Sequence, residues 1–146
     1  MARVHTVVSL LNNLGEFRNK LAFLAAIPEA EFLSDFTKVE SAKHLLQVSV
    51  ETCLDIAHHI VAEGGYRTPE DSYDAFVVLK EERILPDDFL PVLRQMVSFR
   101  NRVVHMYWKV DDQVVYRTLQ DDLEDLDRFA SLIADYLQDQ STPEGE

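Results

Sequence analysis

A length of 146 residues suits one domain with a single hydrophobic core, and 47% apolar residues is the content of an ordinary globular protein. The one cysteine, Cys53, excludes an internal disulfide and a cysteine-based zinc site, so a reducing cytoplasm is the expected compartment. A net charge of −12 argues against a general nucleic-acid binder.

Apolar residues spaced three and four apart predict helices along the whole chain. The first helix is predicted from about 4 to 26, where Pro28 ends it. Polar residues interrupt its apolar stretch, so neither a signal peptide nor a membrane span is expected. A second, longer helix is predicted from about 31 to 62, with Gly64-Gly65 stopping it.

The second half of the chain predicts three more helices. Thr68-Pro69-Glu70-Asp71 has the pattern of an N-cap with early acids, and it predicts a short third helix over about 70–82. Pro86-Asp87-Asp88 begins a fourth helix that is expected to reach about Trp108. The last helix is predicted over about 115–138.

These elements predict an all-α fold, an antiparallel helical bundle of four long helices plus one short helix. No linker or repeat divides the chain, so residues 1–140 are expected to form one helical domain. Residues 141–146 are expected to form a disordered tail.

The fourth helix carries an arginine where an apolar side chain is expected. Arg100 lies near the middle of its apolar arc, where a guanidinium costs several kcal/mol unless it is paired or opens onto a polar cleft. Either a structural ion pair or a cleft at a subunit interface would satisfy it. The segment 89–110 also holds no acid and four basic residues, while 111–146 has a local charge of −9. Such a basic segment could contact phosphate or an acidic partner.

The same helix carries a histidine and a tyrosine beyond Arg100. At 100° per residue His105 lies about 140° round from Arg100, on the side of Asn101. Arg100 and His105 therefore point together only if the helix deforms or two copies face each other across a two-fold axis. Tyr107 is predicted to share the Arg100 face, although a tyrosine ending an apolar stripe with a wet hydroxyl would have the same spacing.

A polar stripe runs along the second helix through Glu40, His44, Gln47, Glu51, Asp55 and His58. It is either a solvated face or a wall opposite Arg100, with Glu51 or Asp55 as the ion-pair partner. Asp55, His58 and His59 have spacings that could bind a metal, but no second carboxylate-x-x-His unit accompanies them. No metal site and no cofactor are predicted.

The segment Arg100-Asn101-Arg102-Val103-Val104-His105 matches the Arg-x4-His signature of HEPN domains, including the polar residue after the arginine. With Met106 and Tyr107 it becomes Arg-x4-His-x-Tyr, which resembles the HepT toxins of HepT–MntA toxin–antitoxin pairs. The resemblance extends over residues 4–138 and shows no departure within the motif.

This resemblance implies a homodimer in which the two motif helices face each other and cleave RNA without a metal. Arg100 and His105 would be catalytic, His105 moving a proton and Arg100 stabilising charge on the phosphate. Asn101 and Arg102 would support them. Tyr107 would be the residue that an MntA-like nucleotidyltransferase antitoxin modifies with AMP, which would fill and neutralise the cleft.

Three hypotheses of function follow. The first is a metal-independent endoribonuclease toxin, held in check by a nucleotidyltransferase antitoxin. The second is a non-catalytic helical partner that binds a nucleotide or substrate for a nucleotidyltransferase. The third is a structural dimer in which Arg100 is only an interface ion pair. The overall acidity favours the second and third, and the intact motif favours the first.

Overall fold

Six α-helices run through the part of the chain that the computed structural model describes, which is residues 2–141 for the backbone and 6–140 for the side chains. In chain order they are α1 (Ala2–Ala25), α2 (Glu29–Leu33), α3 (Phe36–Gly64), α4 (Asp74–Glu81), α5 (Leu90–His105) and α6 (Asp112–Ser141). Two 3-10 turns lie at Asp87–Phe89 and Tyr107–Lys109. The all-α class and the four long helices are confirmed, but there are two short helices instead of one. The predicted disordered tail lies outside the described residues from 142 onward.

Helix α3 occupies the centre of the bundle and packs against each of the other five helices. Its buried face is mostly apolar, with Lys43, Ser49 and Thr52 as the exceptions, and burying one Val, Leu or Ile side chain contributes about 1.5–3 kcal/mol. Aromatic rings extend this core, with Phe76 on α4 meeting Phe129 on α6 edge-on at 5.8 Å between ring centroids. Within the described ranges, no helix is apolar over enough residues to cross a membrane.

The prediction of one continuous helix over 31–62 is wrong, because the chain leaves the helix at Asp35. Asp35 has an extended backbone (φ −124°, ψ 103°), and its Oδ1 accepts from the Thr37 amide at 2.9 Å. This is an N-cap, and it satisfies an amide that the first turn of α3 would otherwise leave unpaired. The predicted stop holds: Gly65 ends α3 in the left-handed region at φ 66°, which glycine adopts without strain.

The predicted start of the third helix is also wrong, since α4 begins at Asp74 and not at Glu70. Asp71 Oδ1 accepts from the Asp74 amide at 2.8 Å, and the Asp74 carboxylate accepts from the Glu70 amide at 2.9 Å. Arg67 donates to Asp74 at 2.7 Å and to Glu81 at 2.8 Å. These bonds hold residues 67–73 as a turn folded against α4, so the proline of that segment does not open a helix.

Asp122 on α6 is a buried acid with no hydrogen-bond or ion-pair partner among the described residues. It lines a cavity of about 280 Å³ between α5 and α6 and is only 7% exposed. Burial raises the pKa of Asp122 to about 7, and the neighbouring carboxylates of Asp125 and Asp121 raise it further in the same direction. The folded protein therefore holds a proton on Asp122 at pH values where the unfolded chain has lost it.

We expect Asp122→Asn to stabilise the protein at pH 8 by up to about 4 kcal/mol, with little effect at pH 4. The folded pKa of about 7 lies above the ordinary value of 3.8, so the wild type loses stability as pH rises between these values. Urea unfolding of both proteins at pH 4, 6 and 8 measures this difference. Asp135→Asn, at an exposed aspartate further along α6, is the matched control. An Asp122→Asn effect that does not change with pH would contradict the assignment.

Candidate active site

Helix α5 carries the motif in its last two turns and ends at His105. Met106 leaves the helical conformation at φ −139° and ψ 47°, while its amide still donates to the Arg102 carbonyl at 2.8 Å. Tyr107–Lys109 then form a 3-10 turn. The prediction that the fourth helix reaches Trp108 is therefore wrong. The break places the end of α5, and its free carbonyls, beside His105.

Arg100 faces α3 and forms an ion pair with Glu51. Its Nε and Nη2 both lie 3.1 Å from Glu51 Oε2, and its Nη1 donates to Asn101 Oδ1 at 3.0 Å. Gln47 donates to the same Glu51 oxygen at 3.2 Å. The Arg100 side chain is 24% exposed, so the guanidinium is paired and also accessible from solvent. Asp55, the other predicted partner, lies exposed one turn further along α3.

His105 lines a different surface, which we call the α5 groove. This groove has a volume of about 520 Å³ and lies between α5 and the turn before α4. It is lined by Asp71, Ser72, Tyr73, Arg94, Val97, Ser98, Asn101, Arg102, His105 and Met106. Arg100 is not among these residues. Within one copy of the chain, Arg100 and His105 thus lie on different sides of α5, as their spacing predicts, and Asn101 stands between them.

Tyr107 packs against a lysine that sequence reasoning did not single out. Lys43 on α3 is only 5% exposed, and its Nζ lies 4.3 Å from the centroid of the Tyr107 ring. Glu40 and Asp112 are its loose ion-pair partners, at 3.8 Å and 3.9 Å. The signal was present, because Lys43 follows Ala42 on the apolar stripe of α3, where a buried ammonium needs a partner.

Tyr107 and Arg100 both contact α3, but not at the same point. The prediction that Tyr107 shares the Arg100 face assumed that the helix continues through Tyr107, but α5 ends at His105. Lys43 and Glu51 are eight residues apart, which is about 12 Å along the α3 axis. Tyr107 is 39% exposed and therefore lies at the rim of the site, near Lys43. Arg100 is less exposed and contacts α3 further along, at Glu51.

Large apolar side chains lie exposed around the motif. Val104 and Met106 are each 42% exposed, and Trp108 is 77% exposed. Val104 and Met106 flank His105 in sequence, and Tyr107 and Trp108 follow directly, so four of the five residues 104–108 are apolar or aromatic and exposed. Clustered exposed apolar side chains are typical of surfaces that contact another protein. The sequence identifies these residues as apolar, but it could not show that they are exposed in the folded protein.

The α3 residues with metal-ligand spacing lie away from the motif's contacts with α3 and face solvent. Asp55, His58 and His59 are exposed on that helix. Among the described residues, no group of three or more His, Cys, Asp or Glu side chains is arranged to hold a metal ion. The side chains of the site offer an imidazole, guanidinium groups, carboxylates, hydroxyls and an amide.

The chain is similar to known ribonucleases. The family model described as "Ribonuclease HepT-like" matches residues 11–133. A curated mRNA nuclease HepT from Shewanella oneidensis is 33% identical over 71% of this chain and 78% of its own length. A tRNA nuclease HepT from Aphanizomenon flos-aquae is 24% identical over 87% of this chain and 86% of its own length.

A solved structure shows the same fold. It is described as a tri-AMPylated Shewanella oneidensis HEPN toxin in complex with the MNT antitoxin. The TM-score is 0.81 at 26% identity, with 88% of this chain and 96% of that chain covered. The likeness therefore extends over nearly all of the helices described above.

Proposed function

The chain belongs to the HepT-like ribonuclease family, and on that premise we propose that it is a metal-independent endoribonuclease toxin, controlled by a nucleotidyltransferase antitoxin. The observation that carries the proposal is the intact motif at the end of α5, with His105 exposed in a groove and Arg100 held by Glu51. Its substrate is RNA, and it acts in the cytoplasm. The alternative, a non-catalytic nucleotide-binding partner, is not favoured by relatives that are named nucleases.

The proposed chemistry uses the ribose 2′-hydroxyl as the nucleophile. As the 2′ oxygen bonds to phosphorus, the bond to the 5′ oxygen breaks. His105 accepts the proton from the 2′-hydroxyl and delivers one to the leaving 5′ oxygen. Arg100 donates to the phosphoryl oxygens, whose negative charge increases in the transition state. The products are a 2′,3′-cyclic phosphate and a 5′-hydroxyl.

Asn101 and Arg102 support this step. The Asn101 side chain accepts from Arg100 Nη1 and also lines the α5 groove with His105, so it connects the two catalytic residues. Arg102 is exposed in the same groove, where its charge attracts phosphate. The Glu51 carboxylate sets the direction of the Arg100 guanidinium and partly neutralises it until phosphate competes for the same donors.

We propose that the site is completed by a second copy of the chain. Arg100 and His105 point about 140° apart on α5, so one copy offers them to a single phosphate only poorly. Two α5 helices facing each other across a two-fold axis would bring Arg100 of one copy toward His105 of the other. Val104, Met106 and Trp108, exposed beside the motif, provide the apolar surface for that contact.

Control by the antitoxin would act on Tyr107. Its exposed position at the rim leaves the hydroxyl accessible to a nucleotidyltransferase. Each AMP unit adds a phosphodiester charge, which would lie near Lys43 and could extend along α3 toward Arg100. The added phosphates would then occupy the donors intended for RNA, and cleavage would stop without unfolding.

The function is tested by incubating the purified protein with transfer RNA and messenger RNA in excess EDTA. We expect cleavage that EDTA does not slow, because proton transfer and charge stabilisation come from side chains. Mass spectrometry of the products should find 2′,3′-cyclic phosphate and 5′-hydroxyl ends. Cleavage that requires added Mg²⁺, or 5′-phosphate ends, would contradict the proposed chemistry.

A further inference from the structure

The α5 groove has features that proton transfer by His105 does not need. Its lining residues on α5 recur at spacings of three and four from Arg94 to His105. They therefore form one continuous face, about 16 Å long. A stacked nucleic-acid strand rises about 3.4 Å per nucleotide, so this face has room for several nucleotides and not only for the phosphate that reacts.

The groove is locally basic in an acidic protein. Arg94 and Arg102 line it, and neither forms an ion pair within the described chain. Arg102 also lines the neighbouring cavity, which holds Asp121, Asp122 and Asp125. Ser98 and Asn101 add uncharged polar groups between them. The one acid of the lining, Asp71, already accepts from the Asp74 amide at 2.8 Å. The free donors therefore outnumber the free acceptors, which suits a polyanion.

Both guanidinium groups also lie over aromatic rings, and the contact of Arg94 is the closer one. Arg94 Cζ lies 4.1 Å from the centroid of the Tyr73 ring, and Arg102 Cζ lies 5.6 Å from that of Phe99. Tyr73 is itself fixed by its hydroxyl, which donates to the Leu90 carbonyl at 3.3 Å. A guanidinium stacked on a ring keeps its N–H edges free for phosphate, and its second face can stack on a base.

From these contacts we propose that the α5 groove binds the single-stranded RNA next to the scissile phosphate, with Arg94 stacked on Tyr73 at the end of the site farthest from His105. The inference rests on the proposed function, since it assigns the strand that His105 cleaves. Arg94 is about 16 Å from His105 along α5, so it contacts a nucleotide that does not react. The groove would thereby hold the substrate in register with His105.

The test measures RNA binding in a His105→Ala background, where the strand stays intact. The probe is a fluorescein-labelled twelve-nucleotide single-stranded RNA, titrated at several salt concentrations. Arg94→Ala should weaken binding about tenfold and lower the salt slope by about one. Tyr73→Leu should also weaken binding but leave the salt slope unchanged, because it removes the stack and keeps the charge.

Arg128→Ala is the matched control. Arg128 stacks on Phe89 at 4.5 Å from the ring centroid, yet it lies on α6 and outside the groove. Removing it deletes the same charge and the same kind of contact, together with an exposed ion pair to Asp88 at 3.1 Å, and RNA affinity should be unchanged beyond a small long-range effect. Thermal unfolding of each variant confirms that the fold persists.

Equal RNA affinity and salt slope in the Arg94→Ala protein and its parent would overturn the inference. So would a loss of binding to a nucleotidyltransferase partner with RNA affinity intact, since the groove would then be a protein interface. Either result leaves the ribonuclease proposal standing if His105→Ala abolishes cleavage. A wild type that cleaves no RNA would instead contradict the proposed function itself.

Discussion

Replacing His105 with Ala should lower the rate of RNA cleavage by about 10²–10⁴-fold, because that is the usual contribution of a positioned acid–base group. The fold should persist, since His105 is exposed at the last residue of α5 and its removal leaves no cavity. Gel-based cleavage of labelled RNA measures the rate, and thermal unfolding measures the stability.

Arg100→Ala should cause a loss of about 10²–10³-fold, the magnitude expected for removing one donor to a developing charge. It also leaves Glu51 unpaired, so a decrease in stability of about 1 kcal/mol or less is expected at this partly exposed site. His59→Ala, at an exposed histidine on α3, is the control that should cleave as the wild type does. A His105→Ala protein with normal activity would disprove the assignment of the acid–base group.

Tyr107→Phe should abolish both the addition of AMP and the inhibition that follows from it, while RNA cleavage continues. The substitution removes only the hydroxyl, so the ring can still lie against Lys43, whose Nζ is 4.3 Å from its centroid. The experiment incubates wild type and variant with ATP and a nucleotidyltransferase of the MNT antitoxin type, such as the partner in the solved toxin complex. Peptide mass spectrometry then maps the added mass, and the cleavage assay follows the inhibition.

Tyr116→Phe is the matched control for that experiment. The Tyr116 hydroxyl donates to the Ile27 carbonyl at 2.6 Å, so it is engaged inside the bundle and should not be modified. Its variant should be AMPylated and inhibited like the wild type. Mass added at another residue, or inhibition that survives Tyr107→Phe, would mean that the antitoxin acts by occlusion and not through Tyr107.

The long helices were predictable because apolar periodicity and strong breakers coincide. Gly65 stops α3 where expected, since only the left-handed region allows that turn. The starts of α3 and α4 were not predictable in the same way. Several aspartates near each start could act as caps, and contacts such as Arg67 with Asp74 and Glu81 decide which one does.

Part of the site was also predictable from the helical spacing of its residues. Helical spacing offered Glu51 or Asp55 as the ion-pair partner of Arg100, beside the alternative of a solvated face, and the structure forms the pair with Glu51 at 3.1 Å. The same spacing separated Arg100 from His105, and α5 keeps them on different sides. Helical spacing could not place Tyr107, because no glycine or proline near Met106 indicates that α5 ends there. The contact with Lys43 depends on that break.

The composite site is the central claim, and mixing two inactive variants tests it most directly. Arg100→Ala and His105→Ala proteins are mixed, unfolded and refolded together so that subunits exchange, and RNA cleavage is then measured. If Arg100 of one copy acts with His105 of the other, each mixed dimer holds one intact site, and activity should recover to about a quarter of wild type. Refolded single variants should remain inactive. A mixture that stays as inactive as either variant alone would contradict a site shared between two copies.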